Sequence, residues 1–294
     1  MWFLIIFFVI MDVGDKMDGI LLVNKPSGMT SHDVVNCVRK ILHTKKVGHC
    51  GTLDPDATGV LVLCIGKATK ALQFLICEEK EYIATLSLGK ATDTYDASGV
   101  VVEEKAFHGV EHLEEVLYSF LGKQKQMPPL YSAIKVNGKK LYEYARQKQD
   151  VQVEPRSIEI KQIELLNQKD NEIQLRVLCS KGTYIRSLCV DIAKKLGYPG
   201  HMSHLIRTKS GHFCIEDCYS LADVENGQFH MMSLEEAFLY FEHYVVDDEK
   251  IVIHGKLIES DIDHQVVVVN QQGKVLAVYG PNGNGYLKSI RGLF

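Results

Sequence analysis

Five short segments set the limits on what this chain can fold into: GILLVNK (19–25), VLVLCIG (60–66), EYIATLSLG (81–89), SIEIKQIELL (157–166) and EIQLRVLCS (172–180). Each is rich in β-branched residues and either alternates or runs apolar throughout, as strands do against one or two buried layers. Two stretches carry helical spacing. TSHDVVNCVRKIL sets apolar residues at 34, 35, 38, 41 and 42 behind a Thr30/Ser31 cap; HGVEHLEEVLYSFLG sets them at 110, 113, 116, 117 and 120, with Gly122 as its stop. Strands and helices do not alternate regularly. That argues against a doubly wound sheet and for an α+β fold, a mixed, largely antiparallel central sheet flanked by helices.

A chain of 294 residues, 46% of them apolar, holds one large domain and a small one. After residue 243 the pattern changes to KIVIHGK and HQVVVVNQQGKVLAVYG, short strands with a Gln-Gln-Gly turn. The reading is a main domain over 17–243 and a small β-rich one over 244–294. The run 2–11 is wholly apolar, but ten residues are about half of what a bilayer needs, and no basic flank or small-residue cleavage site accompanies it. Residues 1–16 are read as an extension ahead of the fold, without membrane attachment. Eight cysteines occur with no C-x-x-C pair, so neither a disulfide framework nor a four-cysteine zinc site is expected, and a cytoplasmic setting fits. His212, Cys214 and Cys218 match no common zinc spacing, so no metal is assigned to them.

The formal net charge of −4 hides a strong local field. Over 123–148 seven Lys or Arg face one acid, Glu143, with Tyr131, Tyr142 and Tyr144 between them; over 222–264 eleven acids face Lys250 and Lys256. A basic stretch interleaved with aromatics suits a nucleic-acid backbone, although such runs are often only solvated.

Asp54 stands in GHCGTLDPDATGVL (48–61), at a turn directly ahead of a buried strand. Asp-Pro is by itself an ordinary turn former. Here glycines on both sides permit close approach of backbone or substrate, and the strand behind gives a carboxylate a rigid mount.

GILLVNKPSGMTSHDVV, VGHCGTLDPDATGVLVLCIGKATK, KEYIATLSLGKATDTYDASG, QMPPLYSAIKVNGKKLYEYAR and CSKGTYIRSLCVDIA resemble, in this order, five blocks of the bacterial tRNA pseudouridine-55 synthases of the TruB type, over most of 18–215. The resemblance implies a pseudouridine synthase fold and conversion of uridine 55 in the tRNA T loop to pseudouridine. It also implies a small PUA-like RNA-binding domain at the C-terminus, a resemblance that is looser there. Cleaving the bond from C1′ to N1 and rejoining the base through C5 changes no redox state, so no cofactor or metal is implied. A carboxylate is needed, either to hold one fragment covalently or to stabilise the sugar cation. The resemblance gives that role to Asp54. Arg186 would keep it ionised and aimed, Asp96 would hold the far side of the guanidinium, and Tyr82 would stack on uracil with its phenol near the moving proton. Tyr184 and Leu205 would line the uracil pocket, His49 would replace stacking in the RNA loop, and Lys25, beside Pro26, joins the substrate-binding set from the block beneath the site. Asp56 is read as a solvated turn residue. The insertion over about 123–152 would close on the T arm through Lys135, Lys139, Lys140 and Arg146, with tRNA as the one partner and the protein a monomer.

Two other functions fit parts of the pattern. A nucleoside hydrolase would need a second, free carboxylic acid for the leaving group. An RNA chaperone acting by binding alone would use the basic stretch but not Asp54.

Overall fold

The computed structural model describes residues 17–76, 78–132, 134–147 and 149–294; the extension 1–16, Cys77, Ala133 and Lys148 lie outside them. The chain begins with β1 (Gly19–Lys25), α1 (Ser31–Ile41), β2 (Val47–Cys50), β3 (Thr58–Ile65) and β4 (Glu79–Leu88). A hairpin follows, β5 (Lys90–Thr92) and β6 (Val101–Glu104), then α2 (Leu113–Tyr118) and β7 (Gly122–Gln126). An excursion holds β8 (Lys135–Val136), β9 (Lys139–Lys140) and α3 (Leu141–Arg146). The chain returns through β10 (Arg156–Lys169), β11 (Glu172–Ser180), α4 (Ile185–Lys195), β12 (Gly200–Ser210) and β13 (Phe213–Cys214). One nine-stranded sheet runs β1-β3-β12-β4-β11-β10-β7, with β2 beside β3 and β13 beside β12. Every pairing in it is antiparallel except the short contact of β3 with β12. The mixed, largely antiparallel architecture read from the segments is the one observed.

Burial explains the two strand signatures. On β1 and β3, Leu21, Val23, Leu61, Leu63 and Ile65 pack with Val34, Val35 and Val38 of α1 on one face. Ile20, Leu22, Val60, Val62 and Cys64 meet Phe238, Val267 and Val269 on the other, so both strands are covered twice and read as unbroken apolar runs. Along β4 the buried residues alternate, Tyr82, Ala84, Leu86 and Leu88, and α2 and α4 cover that face through Leu113, Leu117, Ile185, Leu188 and Ile192. The expected helix over 108–122 shrinks to the six residues of α2. His112 at its N-cap holds a left-handed φ of 54° and offers no side-chain cap, and Gly122 opens β7 rather than ending the helix.

Past the small helices α5 (Leu221–Glu225) and α6 (Leu234–Ala237) lies the C-terminal β-rich domain. Its elements are β14 (His243–Val246), α7 (Glu249–Ile253), β15 (Ile258–Glu259), β16 (Val266–Asn270), β17 (Val275–Pro281) and β18 (Tyr286–Gly292), with the sheet ordered β14-β16-β17-β18-β15. The expected strand in KIVIHGK is instead α7, because the Asp248 side chain caps the backbone N–H of Lys250 and Val252 turns inward. One face of this sheet completes the core over β1 and β3. Among the described residues no helix is long and apolar enough to cross a membrane.

Candidate active site

The loop between β2 and β3 carries Asp54, and each carbonyl from Gly51 to Pro55 accepts a hydrogen bond. Arg207 of β12 donates from Nη2 to Gly51 O (3.2 Å) and from Nη1 to Thr52 O (3.3 Å), while its Nε reaches Val60 O on β3 (2.8 Å). The Ser31 hydroxyl at the start of α1 donates to Leu53 O and accepts from Leu53 N–H at 2.9 Å. Asp54 O takes Ala57 N–H, and Pro55 O takes both Gly28 N–H and the Lys25 ammonium at 2.7 Å. The strand must then lie against β12 so closely that a Cβ on Gly59 would sit 2.2 Å from Arg207 O, at a φ of +104°. Only glycine fits there.

Asp54 points from this fixed turn to Arg186, the second residue of α4. Its Oδ1 accepts from Nη2 at 3.1 Å, and its Oδ2 lies 3.0 Å from Nε in a charge contact. The guanidinium side chain is 6% exposed, whereas Asp54 keeps 37% of its side-chain surface open. Nη1 lies 3.4 Å from Asp96 Oδ2, and the remaining donors go to Thr94 O and Tyr131 O. Asp96 comes from the loop of the β5–β6 hairpin, which docks on β12 through Met202 N–H to Tyr95 O and Ala97 N–H to Met202 O. Its Oδ1 is held by Thr94 Oγ1, Ser98 N–H and Ser98 Oγ. Residues 54, 96 and 186 thus meet in one place from three separate segments.

The electrostatics differ in one respect from a bare ion pair. Withdrawal from water raises the Asp54 carboxyl above its ordinary value; Arg186 opposes the rise and Asp96 adds to it. The expectation of a carboxylate favoured by Arg186 is therefore met by a larger opposing cost of burial.

A cavity of about 370 Å³ opens beside Asp54. Tyr82, 8% exposed on β4, lies across from Arg207 on β12, and burial pushes its phenol up to about 12. Tyr184 and Leu205 also line the cavity, and burial raises the Tyr184 phenol. Tyr131 and Tyr142 reach it from the excursion. His49 is half-buried on β2, two residues before Gly51, and burial pulls its imidazole down. Asp56 is exposed.

Lys25 requires a correction as a substrate-binding residue. It is 0% exposed, and its ammonium is shared among the carbonyls of Pro26, Met29 and Pro55. Burial lowers its pKa against the pull of Asp56 and Asp54. It supports the turn from beneath and has no free face for a substrate. The insertion also starts later than expected. Gly122–Gln126 pairs with β10, so Lys123 and Lys125 belong to the sheet edge. Lys135 and Arg146 are exposed, whereas Lys139 binds Gln147 and Gln149 and lies over the Tyr144 ring. Arg146 and Lys140 both sit 5.5 Å from the Tyr142 ring centre. Cys218 and Cys214 donate to backbone carbonyls, and among the described residues no group of three His, Cys, Asp or Glu is placed to hold a metal ion.

Residues 39–185 match the N-terminal domain of the TruB family pseudouridylate synthases, and 186–252 the C-terminal domain of tRNA pseudouridylate synthase B. The chain belongs to the TruB family. It is 44% identical over 297 residues to a Bacillus cereus tRNA pseudouridine synthase B, covering 94% of this chain and 97% of the relative. The Bacillus subtilis (strain 168) protein of that name is 43% identical over 289 residues, covering 90% and 94%. Among solved structures, a Cbf5-Nop10-Gar1 complex contains a chain with a TM-score of 0.74 at 25% identity, over 94% of this chain and 85% of that one. An H/ACA RNP bound to a substrate RNA containing 2′-deoxyuridine gives a TM-score of 0.71, again at 25% identity and 94% and 85% coverage. The matched family domains end at residue 252, so β15 to β18 lie beyond them.

Arg207, which lines the cavity, and Ser31, which holds the turn at Leu53, are residues that sequence reasoning missed. The available signal was a lone arginine inside the segment HLIRTKS, between the residues of a strand.

Proposed function

We propose that the protein isomerises uridine 55 in the T loop of tRNA to pseudouridine, with Asp54 as the reacting carboxylate, acting as a cytoplasmic monomer without cofactor. The observation that carries the reading is Asp54 on an immobilised turn, gripped by buried Arg186 at the edge of a tyrosine-walled cavity. The target nucleotide has to leave the folded T loop, at a cost of a few kcal/mol, to reach this depth. Once inside, the C1′–N1 bond breaks, the base turns, and C1′ joins C5; the C5 proton is lost while N1 gains one. Asp54 holds a fragment or faces the sugar cation, and Arg186 fixes its direction. Tyr82 offers a ring face and a neutral hydroxyl, since its phenol titrates far above neutrality. The free thiols among the described cysteines suit a reducing compartment.

The hydrolase reading lacks its second acid, because Asp96 is committed to Arg186, Thr94 and Ser98. Incubating purified protein with an unmodified tRNA transcript and digesting it to nucleosides tests all three functions. Pseudouridine gained should equal uridine lost; free uracil would indicate hydrolysis, and an unchanged RNA that still binds would indicate a chaperone.

Two further results are expected. The carboxyl of Asp54 must be ionised to react, and burial raises its pKa. The single-turnover rate should therefore fall about tenfold per unit as pH drops through a midpoint above the ordinary aspartate value of about 3.9. A rate independent of pH down to that value would contradict the assignment. If the excursion tracks the T-arm backbone, Lys135→Gln with Arg146→Gln should weaken tRNA binding and flatten the slope of log K against log salt by roughly one to two units. Fluorescence titrations at several salt concentrations measure both, and unchanged slopes would move the footprint elsewhere.

A further inference from the structure

Gln126 ends β7, the edge strand from which the basic excursion departs, and it is 4% exposed. Both ends of its side-chain amide are used on one residue. Oε1 accepts from Tyr184 N–H at 2.9 Å, and Nε2 donates to Tyr184 O at 3.1 Å. Tyr184 is the N-cap of α4 and supplies no capping side chain of its own. Two more bonds tie the same segments together: Ser187 Oγ donates to Met127 O at 2.8 Å, and Arg186 Nη2 donates to Tyr131 O at 3.0 Å. The start of the excursion is thereby stitched to the helical turn that carries Tyr184 and Arg186.

We infer that Gln126 is a positioning residue for the reaction, holding the first turn of α4 so that Arg186 meets Asp54 and Tyr184 faces the cavity, and linking both to the base of the RNA-facing excursion. The inference rests on the reading of Asp54 and Arg186 given above. Its basis is physical: one side-chain amide bonded to both the N–H and the C=O of Tyr184 restrains the two peptide units that flank its Cα, and Arg186 follows two residues later. Truncating the amide leaves the Tyr184 N–H without its partner, while Tyr184 O keeps only the bond from Leu188 N–H. The helix start is then free to shift by a fraction of an ångström, enough to cost rate where geometry is tight.

The test compares wild type, Gln126→Ala, Gln126→Met and Gln126→Glu in single-turnover reactions on a tRNA transcript, with tRNA affinity measured alongside. Gln126→Ala and Gln126→Met should lose about tenfold or more in rate at saturating enzyme while binding tRNA within about threefold of wild type. Gln126→Glu keeps the acceptor for Tyr184 N–H and should fall between them and wild type. Should Gln126→Ala fail to fold, the Met and Glu variants, of nearly unchanged volume, carry the comparison. Wild-type rates in the folded variants, or losses confined to tRNA affinity, would overturn the inference while leaving Asp54 in place. No pseudouridine from wild type itself would instead defeat the reading beneath it.

Discussion

Asp54→Asn is expected to abolish isomerisation while tRNA affinity changes by less than about tenfold, or ~1.4 kcal/mol. The amide keeps the shape of the side chain and can still accept from Arg186 through its oxygen, but it can neither attack nor balance a sugar cation. The turn itself is held by backbone carbonyls bonded to Arg207, Ser31, Ala57, Gly28 and Lys25, none of which involves the carboxylate, so the fold has no reason to change. Asp56→Asn is the matched control. That side chain is exposed and should leave the rate near wild type. Turnover by the Asp54 variant, or its loss in the Asp56 variant, would show that the wrong carboxylate was chosen.

Arg186→Lys should slow the single-turnover step by about 100-fold, comparable to removing one aimed electrostatic donor. The charge is conserved, but an ammonium cannot fill this site. Arg186 reaches Asp54, Asp96, Thr94 O and Tyr131 O at once, from a side chain only 6% exposed. Lysine is a point charge on a flexible stem, with three donors in place of a planar fork. It cannot reach all four acceptors at once, so the two-point hold on the Asp54 carboxylate is lost and with it the direction of the side chain. A rate within about threefold of wild type would show that the charge alone matters.

The parts of the fold read correctly from sequence share a cause, and so do the parts missed. β1, β3, β4 and β11 announce themselves because their burial follows either both faces or strict alternation. β12, at the centre of the sheet, does not. Its buried residues are Gly200, Met202, Leu205, Arg207 and Ser210, and register breaks after Met202 and Arg207 interrupt the period of two. A strand that buries an arginine and a serine on its core face carries no apolar pattern to find. α4 is hidden differently: it lacks a capping side chain because Gln126, far off in sequence, binds its N-cap residue.

The site divides along the same line. Asp54, Arg186 and Asp96 were assigned through their matches to family blocks, and the fold brings them within 3.4 Å of one another in pairs through Arg186. Lys25 came with its block as well, but a block match does not distinguish a residue that touches substrate from one that props up a turn. Only burial does, and for Lys25 burial is complete. Arg207 makes the converse point. It organises the turn that carries Asp54 by bonding Gly51 O, Thr52 O and Val60 O, an arrangement written in backbone geometry that no spacing in the sequence reveals.

The proposed reaction has Asp54 driving uridine isomerisation at one position of tRNA. Its most direct test is position-resolved mapping of pseudouridine in an unmodified tRNA transcript after a single turnover, with wild type and Asp54→Asn run in parallel. Wild type should convert uridine 55 nearly completely and the variant not at all, with both proteins bound to the RNA. Conversion by both proteins alike, or by neither while the RNA stays bound, would contradict it.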